Sequence, residues 1–171
     1  EDTIKISQLD EGANPYEWEN IDVYQVAKEV CGNLKDIALK KNVHLFIEGH
    51  KTMCRTVRPI LEEILYNLCD NGIKYNKDDG TMSIHITEEE ENVRIVVKDN
   101  GIGIPREDIN RVFERFYRVD KSHSREIGGT GLGLSIVKHG VTFLGGSTGL
   151  VSEVGKGSEF TVILPKDGKK E

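Results

Sequence analysis

The sequence predicts an α+β fold: a two-layer α/β sandwich in which helices cover one face of a mixed, mostly antiparallel sheet. Three observations carry that expectation. Apolar residues recur at helical spacing in three separated stretches, runs rich in branched apolar residues come as adjacent pairs, and helices and antiparallel strands segregate along the chain. With 171 residues there is room for one domain with a substantial core, and too little for two large ones.

At the N-terminus, Thr3 to Gly12 reads as the last turns of a helix stopping at a glycine. The chain starts at Glu1 without a methionine, so it is expected to be a piece of something longer. Pro15 to Asn20 reads as a linker. Val23, Val26, Ala27, Val30, Leu34, Ile37 and Ala38 then mark a helix ending near Lys41, and His44 to Glu48 a short strand. Arg58-Pro59 opens the next helix, because proline suits the first helical turn. Asp78-Asp-Gly80 is a turn, and residues 81 to 89 and 92 to 99 are adjacent antiparallel strands joined by a charged tip at Glu88 to Glu91. Pro105 to Phe113 reads as a short helix. Residues 114 to 130, with few apolar anchors and several glycines and charges, form a lid candidate. Leu132 to Leu144 is the third long helix, although Gly140 in its middle costs about 1 kcal/mol against alanine. Strands at about 147 to 152 and 158 to 164 finish the domain. The expected partition is a leading tail and linker over 1–20, a domain over 21–166 and a flexible tail over 167–171.

Composition narrows the function classes. The formal net charge is -6 and the basic residues are dispersed, gathering mainly at 111 to 125, so a nucleic-acid footprint is unsupported. Cys31, Cys54 and Cys69 lie far apart with no C-x-x-C pair, which argues against zinc and for a reducing compartment. No apolar run approaches the length of a bilayer crossing, so a soluble cytoplasmic chain without direct membrane contact is expected.

Three islands carry chemistry. Asn67 and Asn71 stand four apart in a helical run, so both amide oxygens can point at one hard cation such as magnesium, and at its phosphates. Asp99 ends an apolar strand and opens Asp99-Asn-Gly-Ile-Gly-Ile104. Its carboxylate could accept from the exocyclic amine of adenine, with the glycines letting a ligand approach backbone. Gly128 to Leu134 puts a glycine-rich turn before a helix, whose free N–H groups and positive dipole end suit phosphate. Together they read as one ATP site. A Rossmann loop would place its acidic residue about twenty positions after the glycines. The P-loop pattern is absent, since Gly155-Lys156 is followed by Gly157.

The order and content of these islands resemble the ATP-binding catalytic domain of sensor histidine kinases, in the superfamily shared with gyrase, the large heat-shock chaperone and the mismatch-repair protein MutL. The N box is similar to Glu63 to Tyr75, the first glycine box to Asp99 to Ile104, the F box to Phe113 to Arg118 and the second glycine box to Gly128 to Leu134. Gly155 to Phe160 matches the family's last glycine turn. The resemblance spans about residues 20 to 165 and implies a Bergerat-type fold.

That resemblance implies roles. Asn71 would hold magnesium, with Asn67 supporting the metal or phosphates. Lys74 would lie near the phosphates and Tyr75 beside the adenine. Asp99 would read the adenine amine, with Gly101, Gly103 and Ile104 around it. Gly129, Thr130, Gly131, Leu132 and Gly133 would fold over the phosphates, with the second phenylalanine of the F box anchoring the lid. Arg118 would reach the γ-phosphate and stabilise charge during transfer. Gyrase-like and chaperone-like relatives have a water-activating glutamate four residues before the metal asparagine. Here that position is Asn67, and an amide cannot take the proton. The substitution favours phosphoryl transfer to histidine over hydrolysis, and Glu63, one turn further back, is a candidate helper.

His44, His50, His85, His123 and His139 all lack the acidic neighbour of the family's phosphoacceptor. The implied partners are therefore a histidine-bearing dimerisation domain of the same parent and the receiver domain of a response regulator, and the fragment itself is expected to be monomeric. Gly72 stands where the family more often has alanine, and Gly140 where it has an apolar residue. Two alternatives stay open: a gyrase-type ATPase, and a nucleotide-binding or protein-docking module without transfer.

Overall fold

The structure, a computed structural model, describes residues 16–115, 117 and 133–169. Helix α1 (Val23–Lys41) begins where the Asp22 carboxylate accepts from the Tyr24 N–H at 3.1 Å and the Thr52 N–H at 3.0 Å. It ends at Asn42, which adopts the left-handed conformation, φ 57, and donates its backbone N–H to the last turn. Helix α2 (Arg58–Lys74) has no side-chain cap and starts instead on Pro59. Helix α3 (Gly133–Phe143) is short and strongly apolar on one side.

Five strands form the main sheet in the order β2 (Val43–Glu48), β4 (Gly80–Glu88), β5 (Asn92–Asp99), β7 (Gly157–Pro165), β6 (Ser147–Glu153). Only the β2–β4 pair is parallel, because α2 lies between those strands in the chain and carries it back across the sheet; the other pairs are antiparallel. Alternation along the central strands puts Met82, Ile84 and Ile86, Val93, Ile95 and Val97, and Phe160, Val162 and Leu164 on one buried face. Those side chains meet Val26, Val30 and Leu34 of α1, Leu61, Leu65 and Leu68 of α2, and Val137 and Val141 of α3 in one core. The opposite face carries His44, Phe46, Lys98 and other exposed or half-exposed side chains. This is the two-layer, mixed, mostly antiparallel sandwich that the sequence predicts.

Two expectations fail. Glu19–Asp22 and Met53–Thr56 are short antiparallel strands, β1 and β3, paired as a separate ribbon, so Glu19 and Asn20 are strand rather than linker. Just before them Trp18 stacks on Phe143 of α3, centroids 6.4 Å apart, and Tyr16 meets the same ring edge-on. Short polar strands without an apolar run leave little periodic signal. The segment expected as a helix over Pro105 to Phe113 holds only a 3₁₀ turn at Arg106–Asp108 followed by irregular turns. Its backbone bonds run mostly three residues back, as from Asp108 to Pro105 and from Arg111 to Asp108. Val112 is its one buried side chain, and so short a segment cannot hold an α-helix without a packed face.

Within the expected tail over 167–171, Gly168 is buried beside Arg55. The expected helix end over Thr3 to Gly12 lies outside the described residues.

Candidate nucleotide site

Helical spacing puts Glu63, Asn67, Asp70, Asn71 and Lys74 on one stripe of α2. All five are half-buried, while Leu61, Ile64, Leu65, Leu68 and Cys69 face the core. The Asn67 amide donates to the Glu63 carbonyl at 2.8 Å and to the Glu63 carboxylate at 3.3 Å. That fixes its orientation and leaves Oδ1 as the outward end. A methyl group built on Gly133 would stand 3.1 Å from that oxygen, so the Gly133 end of α3 lies directly over Asn67. The Asn71 side chain has no hydrogen-bond partner among the described residues, and its carbonyl accepts from Tyr75. Lys74 is not an isolated charge: its ammonium sits 3.0 Å from Asp70, one turn back on the same stripe.

Gly140, the apparent weakness of α3, has a packing reason. A Cβ there would meet Ile64 at 3.1 Å and Ile60 at 3.2 Å, so glycine lets α3 lie close against α2.

Asp99 closes β5 beside the C-terminal end of α2. Its carboxylate accepts from the Gly101 N–H at 2.9 Å and from the Ser158 N–H. Burial pushes its pKa up to about 6, and the two N–H donors oppose that rise without cancelling it. The glycines that follow serve chain packing. A Cβ at Gly101 would fall 2.4 Å from the Tyr75 carbonyl, and one at Gly103 would fall 2.1 Å from the Glu153 carbonyl; Gly103 also has a φ of +75. These glycines therefore have a packing reason of their own: on the side a side chain would occupy, protein backbone already stands. Their effect is to lock the loop to α2, where the Ile102 N–H donates to Tyr75 at 3.0 Å, and to the β6–β7 hairpin. Ile104 is half-buried against the core, its N–H donating to Ser152 at 2.8 Å.

Sequence reasoning missed the residues that hold these pieces together. Asn76, buried, donates to the Gly72 carbonyl and the Thr81 carbonyl, both at 2.9 Å, and accepts from the Lys77 N–H. The Asn100 side chain accepts from the Thr81 N–H at 2.7 Å. Ser152 bridges Ile104, the Gly157 carbonyl and the Ser158 hydroxyl. Position next to the recognised islands was the one available signal, and it does not separate a latch from an ordinary turn residue.

From the F box, Phe113 is half-buried and meets Phe160 of β7 edge-on at 6.1 Å. It therefore anchors this segment ahead of Phe116. Tyr117 hydrogen-bonds Asp108 and lies under the Arg111 guanidinium, 4.5 Å from the ring centre. Phe116, Arg118, Lys121, Arg125 and the glycine-box residues Gly129, Thr130, Gly131 and Leu132 lie outside the described residues.

Comparisons with known proteins match this geometry. Residues 56–168 match the family described as histidine kinase-, DNA gyrase B-, and HSP90-like ATPase. Sensor histidine kinase WalK of Bacillus subtilis is 47% identical over 113 residues, 65% of this chain and 18% of the relative. Sensor-like histidine kinase SenX3 of Mycolicibacterium smegmatis is 36% identical over 166 residues, 95% of this chain and 43% of the relative. The chain thus spans less than half the length of either curated relative. Among solved structures, full-length ShkA in complex with AMPPNP superposes with a TM-score of 0.83 at 24% identity, covering 99% of this chain and 35% of that one. The catalytic domain of histidine kinase ThkA gives 0.77 at 22% identity, covering 90% and 99%. At these identities the structural matches establish the fold.

Proposed function

Since the chain belongs to the histidine kinase-, DNA gyrase B-, and HSP90-like ATPase family, we propose that it is the ATP-binding catalytic domain of a two-component sensor histidine kinase. It transfers the γ-phosphoryl of ATP to a histidine on a dimerisation domain of the same parent, for relay to the receiver aspartate of a response regulator. Asp99 carries the reading. A carboxylate buried at a strand end, held by two backbone N–H groups and without a cationic partner among the described residues, is poised to accept from an exocyclic amine. Relatives named as sensor histidine kinases, matching over most of this chain, support the kinase assignment over the other branches of the family.

The donor set on α2 fits magnesium. Asn67 and Asn71 offer neutral amide oxygens on one stripe, the hard ligands that ion takes beside phosphate oxygens. Bound there, the metal would supply charge neutralisation for the phosphates. The remaining work falls to the chain: Asp99 orients the base, the Gly133 end of α3 lies over Asn67 on the phosphate side, and Asn67 holds Glu63 close by. We assign charge stabilisation during transfer to Arg118, and lid contacts to Gly129 through Gly133. Lys74, tied to Asp70, balances charge at the phosphate end, and Tyr75 flanks the base. The catalytic domain in this reading covers residues 21–166, with the preceding segment leading from the dimerisation domain. Among the described residues no helix is long and apolar enough to cross a membrane, and the proposed domain acts on the cytosolic side of a membrane-linked parent.

The test is calorimetric titration of a non-hydrolysable ATP analogue, with and without magnesium, on this chain and on Asp99→Ala. Magnesium-dependent binding lost in the variant supports the reading. No binding to the parent chain favours a docking module. Supplying a histidine-bearing dimerisation domain then separates transfer from hydrolysis: label retained on that domain identifies a kinase, and free phosphate alone identifies an ATPase.

A further inference from the structure

We propose that Ser152 on β6 is a positioning residue that sets base specificity: it holds the Ser158 hydroxyl with its hydrogen turned away from the base, so that Ser158 and Asp99 together offer acceptors only and select an amino-purine over an oxo-purine. The register of the sheet brings the three residues together. On the helix-covered face, Ile84, Val97, Phe160 and Leu150 stand directly opposite one another from β4 across to β6, and all four are apolar. Two residues along, the next row reads Met82, Asp99, Ser158, Ser152. Directly opposed side chains on one face stand about 5 Å apart at Cβ, so this row is the polar end of an otherwise apolar floor. Ser158 is only 7% exposed, and a buried hydroxyl has to be accounted for.

Counting hydrogens fixes the direction of each bond. A serine hydroxyl has one hydrogen and two lone pairs. Ser152 Oγ lies 2.9 Å from the Gly157 carbonyl, which can only accept, so the Ser152 hydrogen goes there. The Ile104 N–H, at 2.8 Å, takes one of its lone pairs. The remaining contact, 2.8 Å between the Oγ atoms of Ser152 and Ser158, then contains a hydrogen only if Ser158 supplies it. Among the described residues Ser152 is the one hydrogen-bond partner of that hydroxyl, so the lone pairs of Ser158 are what it presents to anything lying over the row.

Asp99, directly opposite on β5, is also acceptor-only when ionised. Two neighbouring acceptors favour a group that brings hydrogens, such as the exocyclic amine of adenine or a water bridging to it, and disfavour the exocyclic oxygen of hypoxanthine. Without the Ser152 hydroxyl, the Ser158 O–H is free to turn and donate, and an oxo group becomes tolerable. Ser152 thus acts through Ser158 and touches no ligand itself. The choice of base rests on the nucleotide-site reading above; the directions of the hydrogen bonds do not.

The experiment is calorimetric titration at pH 8 of adenosine diphosphate and inosine diphosphate, which share ribose and phosphates and differ at the base edge. It compares the parent chain with Ser152→Ala, Ser158→Ala and the variant carrying both changes, and the quantity read is the ratio of the two affinities. The parent should prefer the adenosine nucleotide, and Ser152→Ala should lower that ratio by about fivefold or more. Ser158→Ala should lower it too, and the double variant should match Ser158→Ala, because Ser152 has nothing left to act through. A role in folding alone would weaken both nucleotides alike and leave the ratio where it was. An unchanged ratio in Ser152→Ala, or a double variant that falls well below Ser158→Ala, overturns the proposal. Should Ser152→Ala fail to fold, Ser158→Ala decides, and an unchanged ratio there overturns it equally. Failure of the parent to bind either nucleotide refutes the nucleotide-site reading and the proposal with it, whereas firm binding with an unmoved ratio refutes the proposal alone.

Discussion

Replacing Asp99 by asparagine tests both what the carboxylate does and what it costs. Burial lifts its pKa from 3.8 to about 6, so the folded chain holds that proton more tightly than the unfolded one. Its contribution therefore opposes folding fully above pH 6, and the opposition is relieved as pH falls from about 6 towards 3.8. A difference of about two pH units corresponds to about 3 kcal/mol. Asparagine removes the charge but accepts well from only one of the Gly101 and Ser158 N–H groups, returning about 1–2 kcal/mol. Urea unfolding should thus find Asp99→Asn about 1–2 kcal/mol more stable than the parent at pH 8, with the gap closing by pH 5. Nucleotide affinity should run the other way. If the ionised form accepts the adenine amine, about a tenth of Asp99 is ionised at pH 5, and binding weakens about tenfold relative to pH 7. The nucleotide's own phosphates also titrate, so the variant supplies the correction: it should bind weakly at both values and show only the phosphate slope. Parallel slopes in parent and variant would sink the argument, as would an asparagine variant less stable at pH 8.

Other outcomes follow from the same contacts. Gly103→Ala should lower stability by about 2–4 kcal/mol, read as a fall in Tm, because its Cβ would collide with the Glu153 carbonyl at a φ of +75. Asn76→Ala should cost about 2–3 kcal/mol by stranding the Gly72 and Thr81 carbonyls, and weaken nucleotide binding in calorimetry as the end of α2 loosens from β4. Gly140→Val should cost about 1–3 kcal/mol by overpacking against Ile60 and Ile64; an unchanged urea midpoint would show that α3 can retreat freely. Asn67→Ala or Arg118→Ala should abolish phosphoryl transfer to a supplied dimerisation domain with only modest loss of binding; equal loss of both would count against their assigned roles.

Much of the fold was legible because its signals are periodic. The apolar stripes of α1 and α2 and the alternation of β4, β5 and β7 are long enough to declare themselves, and the islands around Asn71 and Asp99 stand out by residue type and spacing. What stayed hidden is short or made by contact. Strands β1 and β3 are four residues each and stable only as a pair. The turn after Pro105 failed as a helix because its sequence supplies no second buried residue beside Val112 in the right place. Asn76 and Ser152 looked like ordinary turn and strand residues, since their value lies in carbonyls and amides that are distant in the chain. The glycines after Asp99 were legible as a pattern but not in purpose: a sequence shows that space is needed and not what fills it.

Helix α3 reaches from Gly133, over Asn67, to Phe143, under Trp18. Eleven residues make a rod of about 16 Å, seated tightly near its centre where Gly140 meets Ile60 and Ile64. One short element thus touches both the arriving chain at Trp18 and the Asn67 stripe of α2, so the entry of the chain into the domain and one wall of the proposed nucleotide site share a single support.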